Sequence, residues 1–374
     1  MSRLEELIQE LCPNGVAYKT LGEVLKIKNG RDYKRYGEGD IPVYGSGGVI
    51  AYIDTAAYTE PSVLIPRKGS LDKLYYVDKP FWTVDTIFYS EINRDVVNPK
   101  YVYYWLQRQH LERLNKAGGV PSLTQTVLNK VLIPVPPLEV QREIVRILDN
   151  FTELTTELTT ELTARKKQYE YYRDQLLTFG DEVEYKQLDD VATFRNGKGH
   201  EKDIVVNGKY IVVNSKFIST SGMVKKYSTK QICPLYTDDI LMVMSDLPNG
   251  RALAKCFIVE KNDKYSLNQR IGAFHVRDKN IILTKFLYYV LNRNRQLLRY
   301  DNGVDQTNLR KDNILNINIP LPSISEQQRI VDILDRFDTL CNDLTAGLPA
   351  EIEARQKQYE YYRDKLLTFE PLAD

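Results

Sequence analysis

Arginine, lysine, asparagine and glutamine gathered in glycine-punctuated loops are the residues of this 374-residue chain whose types and spacing could do chemistry. That chemistry is recognition. KIKNGRDYKRY (26–36) carries five positive charges against one negative, interleaved with tyrosines, and RNGKGHEK (195–202) is its counterpart later in the chain. PRKGS (66–70), PNGRALAK (248–255), LNQR (267–270) and the stretch from Arg293 to Lys311 add more. These are the side chains that hydrogen-bond base edges and phosphates. Any single cluster is better read as a solvated loop, but recurrence at matched positions shifts the balance toward DNA or RNA. A formal net charge of +1 neither demands nor excludes such a partner, because phosphate binding depends on local excess.

Signs of catalysis are thin. His110 falls in a helical run, His200 in a basic loop and His275 in a strand-like run, none with a partner nearby in sequence, so each reads as structural or surface. Neither a Walker A motif nor GxGxxG is present. NPKY (98–101) differs by one residue from an Asn-Pro-Pro-Tyr methyltransferase motif; Asn98 and Pro99 read better as the N-cap and first turn of a helix over 99–116. EYK (184–186) has nuclease-like spacing, yet its earlier counterpart, Ala17-Tyr18-Lys19, lacks the carboxylate. YGSGG (44–48) offers an anion nest, although a plain turn is the better reading.

The bulk composition suits these readings. The length predicts two or three core-bearing units, and 43% apolar with 27% charged residues is ordinary for a soluble globular protein. Cys12, Cys233, Cys256 and Cys341 form no CxxC pair, which fits a reducing cytosol. MSRLEELIQEL is an amphipathic helix pattern, and no apolar run approaches the ~18 residues of a membrane span. A cytoplasmic, membrane-free protein is expected.

What must position the loops is written twice. YKTLGEVLKIKNG (18–30) matches YKQLDDVATFRNG (185–197), and YYWLQRQ (103–109) matches YYVLNRN (288–294). IPVPPLEVQREIVRILDNF (133–151) matches IPLPSISEQQRIVDILDRF (319–337), and RKKQYEYYRDQLLTF (165–179) matches RQKQYEYYRDKLLTF (355–369). Offsets of 167, 185, 186 and 190 drift as loop insertions would make them. This is a duplicated domain of about 190 residues rather than a solenoid. The blocks at 12–132 and 181–318 read as mixed α/β, with strands at 49–53, 62–66, 210–214, 239–244 and 256–260 and helices at 99–116 and 284–300.

Between the blocks the periodicity is helical. Val140, Ile144, Leu148, Phe151, Leu154, Leu158, Leu162, Tyr169, Tyr172 and Leu176 form one stripe, and no proline or glycine interrupts 138–179. A second stripe runs through Ile330, Leu334, Phe337, Leu340, Leu344, Leu348 and Ile352, with a capping box at Ser325 and Gln328 and a weak point at Gly347–Pro349. Helices of this kind pair as a coiled coil, and chain order makes the pair antiparallel, with a block at each end and the termini near one another. TELTTELTTELT (152–163) repeats a unit slightly longer than one turn, so adding or removing a copy keeps the stripe nearly in phase while changing length by ~6 Å. An adjustable spacer and a slippage relic without metric role both fit.

With these motifs assembled, the chain resembles, along essentially its whole length, the specificity subunits of type I restriction–modification systems. The resemblance rests on the two IP…ILD…F segments, the paired KQYEYYRDxLLTF segments and the four-residue repeat. NGRDYK…IPVYGSGG…PRKGS…WTVDT…GVPSLTQ and MSDLPNGRALAK…LNQRIGAF…GVDQTNLRK are similar to target-recognition domains. It implies an α+β fold in which two mixed α/β target-recognition domains (1–134 and 181–320) alternate with helical regions (135–180 and 321–374), the latter forming a long antiparallel coiled coil with pseudo-two-fold symmetry. It implies no catalysis in this chain, and a bipartite target in double-stranded DNA whose gap the helices set. Two methyltransferase subunits using S-adenosylmethionine and restriction subunits using ATP and Mg would be the partners. DNA contacts are expected from Lys28, Asn29, Arg31, Lys34, Arg35, Tyr44, Ser46, Arg67, Lys68, Ser70, Trp82, Thr83, Ser122 and Gln125 in the first block. In the second they are expected from Arg195, Asn196, Lys198, Lys216, Ser245, Asn249, Arg251, Asn268, Gln269, Arg270, Gln306, Asn308 and Arg310. Gln168, Tyr169, Glu170 and Arg173, with Gln358, Tyr359, Glu360 and Arg363, dock partners or simply pack between helices. A self-sufficient nucleic-acid enzyme with a degenerate motif and a coiled-coil adaptor that never touches DNA are the rival readings.

Overall fold

The computed structural model describes residues 3–115, 122–248, 252–343 and 346–372. The expected contacts Asn249 and Arg251, and Leu344 of the second stripe, lie outside the described residues. The fold is α+β, and the chain divides into two compact units, 1–160 with 350–374, and 161–349.

The first unit holds a four-stranded antiparallel sheet in the order Leu25–Asn29, Ile87–Ile92, Ser62–Pro66, Tyr75–Val77. A smaller sheet pairs Gly48–Ile53 with Ile41–Gly45, which runs parallel to Trp82–Thr83. The expected turn at Ser46 and Gly47 closes that hairpin, with Gly48 at φ +120°, a conformation glycine adopts without cost. Apolar strand residues such as Ile65 and Phe88 pack on the helix Pro99–Arg108 through Tyr101 and Leu106, and on Ile144 and Leu148 of the long helix.

The second unit repeats the main sheet strand for strand: Ala192–Asn196, Ile271–Val276, Ile240–Val243, Cys256–Ile258. A second four-stranded sheet runs Ile204–Val205, Lys226–Ser228, Tyr210–Val213, Tyr265–Leu267. Its helix Thr284–Leu291 packs with Leu334 and Cys341, among others, in one core.

Leu138–Leu176 is a single 39-residue helix. Threonine is a mediocre helix former, but here Thr152, Thr155, Thr156, Thr159 and Thr160 each donate their hydroxyl to the carbonyl four residues back. These five hydroxyls are thereby satisfied while the repeat's leucines keep the half-buried stripe. Within the second unit Tyr172 stacks on Phe337 with ring centres 5.9 Å apart, and Tyr169 lines one cleft with Thr339 and Asn342. Rising numbers on one helix therefore meet falling numbers on the other, and this pairing is antiparallel. Phe151 stacks on Tyr362 at 5.4 Å in the first unit, the same pair with the copies exchanged.

Several boundaries differ from expectation. The second long helix is two helices, Ile324–Asn342 and Leu348–Leu366, so the weak point at Gly347 is a break rather than a kink. Its cap is Ser323, whose hydroxyl accepts from the Glu326 amide; Ser325 is already inside the helix, and Glu326 turns to Arg329 instead of closing a box. The helix begun at Pro99 ends at Arg108, because His110 takes a left-handed conformation (φ 49°) ahead of a short 3-10 turn, Leu111–Leu114. The 284–300 helix likewise splits after Leu291, with Arg293 left-handed at φ 57°. Asn98 caps its helix as expected, accepting from the amides of Lys100 and Tyr101, and EYK lies in the strand Glu184–Gln187. Among the described residues no helix is long and apolar enough to cross a membrane, and no cluster of metal-ligating side chains occurs. All four cysteines are buried free thiols.

Candidate nucleic-acid interface

In both units the loops with recognition chemistry hang on one backbone framework. The Arg31 amide donates to the Thr83 carbonyl (2.8 Å), and in the other copy Lys198 donates to Leu267 (3.1 Å). Arg67 donates to Thr86 (2.9 Å) as Met244 does to Arg270 (3.1 Å). Leu123 donates to Arg67 (2.9 Å) as Leu309 does to Met244 (2.8 Å). The β-bridge between Lys68 and Ser122 recurs as the pairing of Ser245 with Asn308. Gly30 and Gly197 show why the Asn-Gly pair is repeated. A Cβ on Gly30 would collide with the Val84 carbonyl, and one on Gly197 with that of Asn268, so only glycine lets the two loops close up.

On this shared frame the side chains differ. Arg31 stands where the other copy has Lys198, Asp85 where it has Gln269, Thr86 where it has Arg270, Lys68 where it has Ser245, and Ser122 where it has Asn308. Asp85 and Thr86 escaped the sequence reading. Aligning WTVDT with SLNQR through the duplication is the signal that would have found them.

The frame also sorts the expected contacts. In the first unit Asn29, Arg31, Lys34, Arg35 and Lys68 are exposed, while Lys28, Ser46, Arg67, Ser70, Ser122 and Gln125 are half-buried. Arg35 lies over the Tyr36 ring, Lys28 pairs with Glu91, and Lys68 pairs with Asp85 at 3.6 Å. Gln125 donates its amide to the Ile27 carbonyl and Ser46 accepts from Tyr75 through its own carbonyl, so these two brace strands. Three other expected contacts are held in the packing of the block. Trp82 is 4% exposed and donates its indole N–H to the Arg31 carbonyl, and Thr83 is 1% exposed, because both lie in the strand that pairs parallel with Val43 and Tyr44. Tyr44 packs its ring on Tyr75 and Phe81, and burial raises its phenol above the ordinary range.

In the second unit Asn196, Lys198, Lys216, Gln269, Arg270, Gln306, Asn308 and Arg310 are exposed, and Asn268 is half-buried. Arg195 is redirected: it binds Asp239, a carboxylate 1% exposed, at 2.6 Å, and also donates to the Pro234 carbonyl. Ser245 is buried and holds Gln306 through its hydroxyl at 2.8 Å. Lys216, Asn268, Gln269 and Arg270 converge on a cleft of about 550 Å³, joined by Asn214 and Lys226, which the sequence did not single out. Three cations face one carboxylate there, Glu201, which accepts from Gln269. His200 forms part of the cleft but is locked, with Nδ1 at 2.7 Å from the Lys198 carbonyl and Nε2 at 2.7 Å from the Ser266 hydroxyl. His275 sits 3.0 Å from Asp239, and His110 3.2 Å from Glu112. The arrangement can present hydrogen-bond donors, acceptors and cations to a polyanion.

Comparison with known proteins agrees with this geometry. The family model of the type I restriction modification DNA specificity domain matches twice, over residues 13–166 and 180–354. The chain is 38% identical over 296 residues to the type I restriction enzyme EcoR124I/EcoR124II specificity subunit of Escherichia coli, covering 72% of this chain and 70% of that one. It is 30% identical over 392 residues to a type I restriction enzyme specificity subunit of Haemophilus influenzae, covering 98% of each. The crystal structure of a type I system S subunit from M. genitalium shares the fold, with a TM-score of 0.59 at 16% identity over 94% of this chain and 96% of that one. Two copies of one domain, one framework and these relatives place the chain in the family of type I restriction–modification specificity subunits, the non-catalytic, DNA-recognising components of such systems.

Proposed function

We propose that each block reads one half of a bipartite target in double-stranded DNA, and that the helical segments set the unspecified gap and dock two adenine-methylating subunits. Those partners would bring S-adenosylmethionine, and restriction subunits joining the same core would bring ATP and Mg. One observation carries this reading: the same backbone framework occurs twice with different side chains at matched positions. A frame that is kept while its side chains vary suits two readers of different sequences. A solved structure of similar fold (TM-score 0.61, 16% identity) comes from work on complex assembly in a type I system, which fits a subunit that acts with partners.

The test is the genome-wide methylated-adenine motif in cells with and without this chain. The reading expects a bipartite motif that depends on the chain; identical methylomes reject it. Deleting one TELT removes ~6 Å of helix and should shorten the gap by one or two base pairs of ~3.4 Å, leaving both half-sites intact. Altered half-sites would reject the spacer role.

A further inference from the structure

Around the strand pair Ser245–Asp246 and Thr307–Asn308, the second unit carries exposed amide and apolar side chains, with Gln306 oriented by the buried Ser245 hydroxyl. Exposure alternates from Gln306 to Arg310: Gln306, Asn308 and Arg310 face solvent, whereas Thr307 and Leu309 are buried. The Gln306 amide nitrogen lies 2.8 Å from the Ser245 hydroxyl and 3.4 Å from Asn308 Oδ1, so both amides share one face. Residues two apart on an extended chain are separated by ~6.6 Å, close to twice the ~3.4 Å rise of a base pair. Leu247, directly after the partner strand, is 68% exposed, and Val304, two residues before Gln306, is 75% exposed. In the first unit the slot of Asn308 holds Ser122 and that of Ser245 holds Lys68, so among the described residues the paired slots of this ledge are filled differently in the first copy.

Carboxamides pair bidentately with adenine N6 and N7, and apolar side chains meet the 5-methyl of thymine. Both members of an A·T pair are thus addressed by neighbouring residues. We propose that Gln306 and Asn308 read adenines, and Leu247 a thymine methyl, in the half-site recognised by the second block. This rests on the DNA-reading role above and adds the class of base pair that one block selects.

Methylated motifs mapped in cells carrying the wild-type chain, Gln306→Ala or Asn308→Ala test it. Both side chains are exposed, so unchanged melting temperatures will confirm that the variants fold. The expected result is that each variant loses roughly ten- to hundredfold discrimination at an A·T position of one half-site, with the other half unchanged. Relaxation at a G·C position, or none, overturns the assignment. Separately, uracil in place of thymine in that half-site should weaken binding by the methylation complex about fourfold per methyl, and not for Leu247→Ala. A wild-type complex indifferent to uracil overturns the thymine contact. A wild-type chain that yields no bipartite motif defeats the recognition role and this proposal with it; a bipartite motif that the variants leave unmoved defeats the base assignment alone.

Discussion

The hydroxyl of Tyr18 donates to the carbonyl of Phe369 at 3.0 Å, across 351 residues of chain. Its counterpart Tyr185 makes the same bond to Phe179, only six residues back, at 2.8 Å. The stacked pairs Phe151–Tyr362 and Phe337–Tyr172 follow the same rule. Each unit is therefore assembled from the block and helix start of one copy and the KQYEYYRDxLLTF end of the other. The shared segments are architecture, and the proposed reading surface lies in what the blocks hang between them.

Gln141 and Gln327 fix the helix starts. Each is fully buried; Gln141 donates to the Val96 and Pro136 carbonyls and accepts from the Asn98 amide, and Gln327 does so with Ile281, Pro322 and Leu283. Replacing either by alanine leaves three backbone groups without their side-chain partner and should cost about 2–4 kcal/mol. Chemical denaturation of the two variants should show similar losses.

Gly30→Ala should deform the first reading surface and Gly197→Ala the second, because the new methyl meets a loop carbonyl that cannot yield. A stability loss of about 1–3 kcal/mol is expected. The sharper readout is the methylated motif, in which each variant should blur one half-site and spare the other.

Asp338 offers a pH test. Burial, with the nearby Asp335, holds its carboxyl above the ordinary 3.8, although Asn342 donates to it. A carboxyl with a raised folded pKa penalises the fold once it ionises, so the penalty is present above that pKa and absent below about 3.8. Asp338→Asn should therefore raise the melting temperature at pH 7 and lose that advantage as pH falls toward 4. An advantage that grows on acidification would contradict the assignment.

How much of this was legible in the sequence depends on the range of the interaction. The stripe through Val140, Ile144 and Leu148 and the Asn98 cap are local patterns, and they stand where the pattern puts them. The early stop at Arg108 is decided by a left-handed residue, His110, with ordinary neighbours in sequence, whereas the break after Asn342 stands beside Gly347 and Pro349, a weak point whose local pattern does not say whether the helix bends or stops. Trp82 and Thr83 look like contact residues beside basic loops, yet their burial follows from pairing with Val43 and Tyr44, some forty residues away. Arg195 looked free until a buried aspartate from a distant strand start claimed it. The candidate surface was visible as a composition; which members face outward was set by pairings that composition does not encode.

The most direct measurement replaces residues 181–318 with the corresponding block of a relative of different specificity and maps methylated adenines genome-wide. Two readers on one duplicated framework predict that one half-site is exchanged while the other half-site and the gap are retained. A motif altered in both halves, or in neither, would contradict the account.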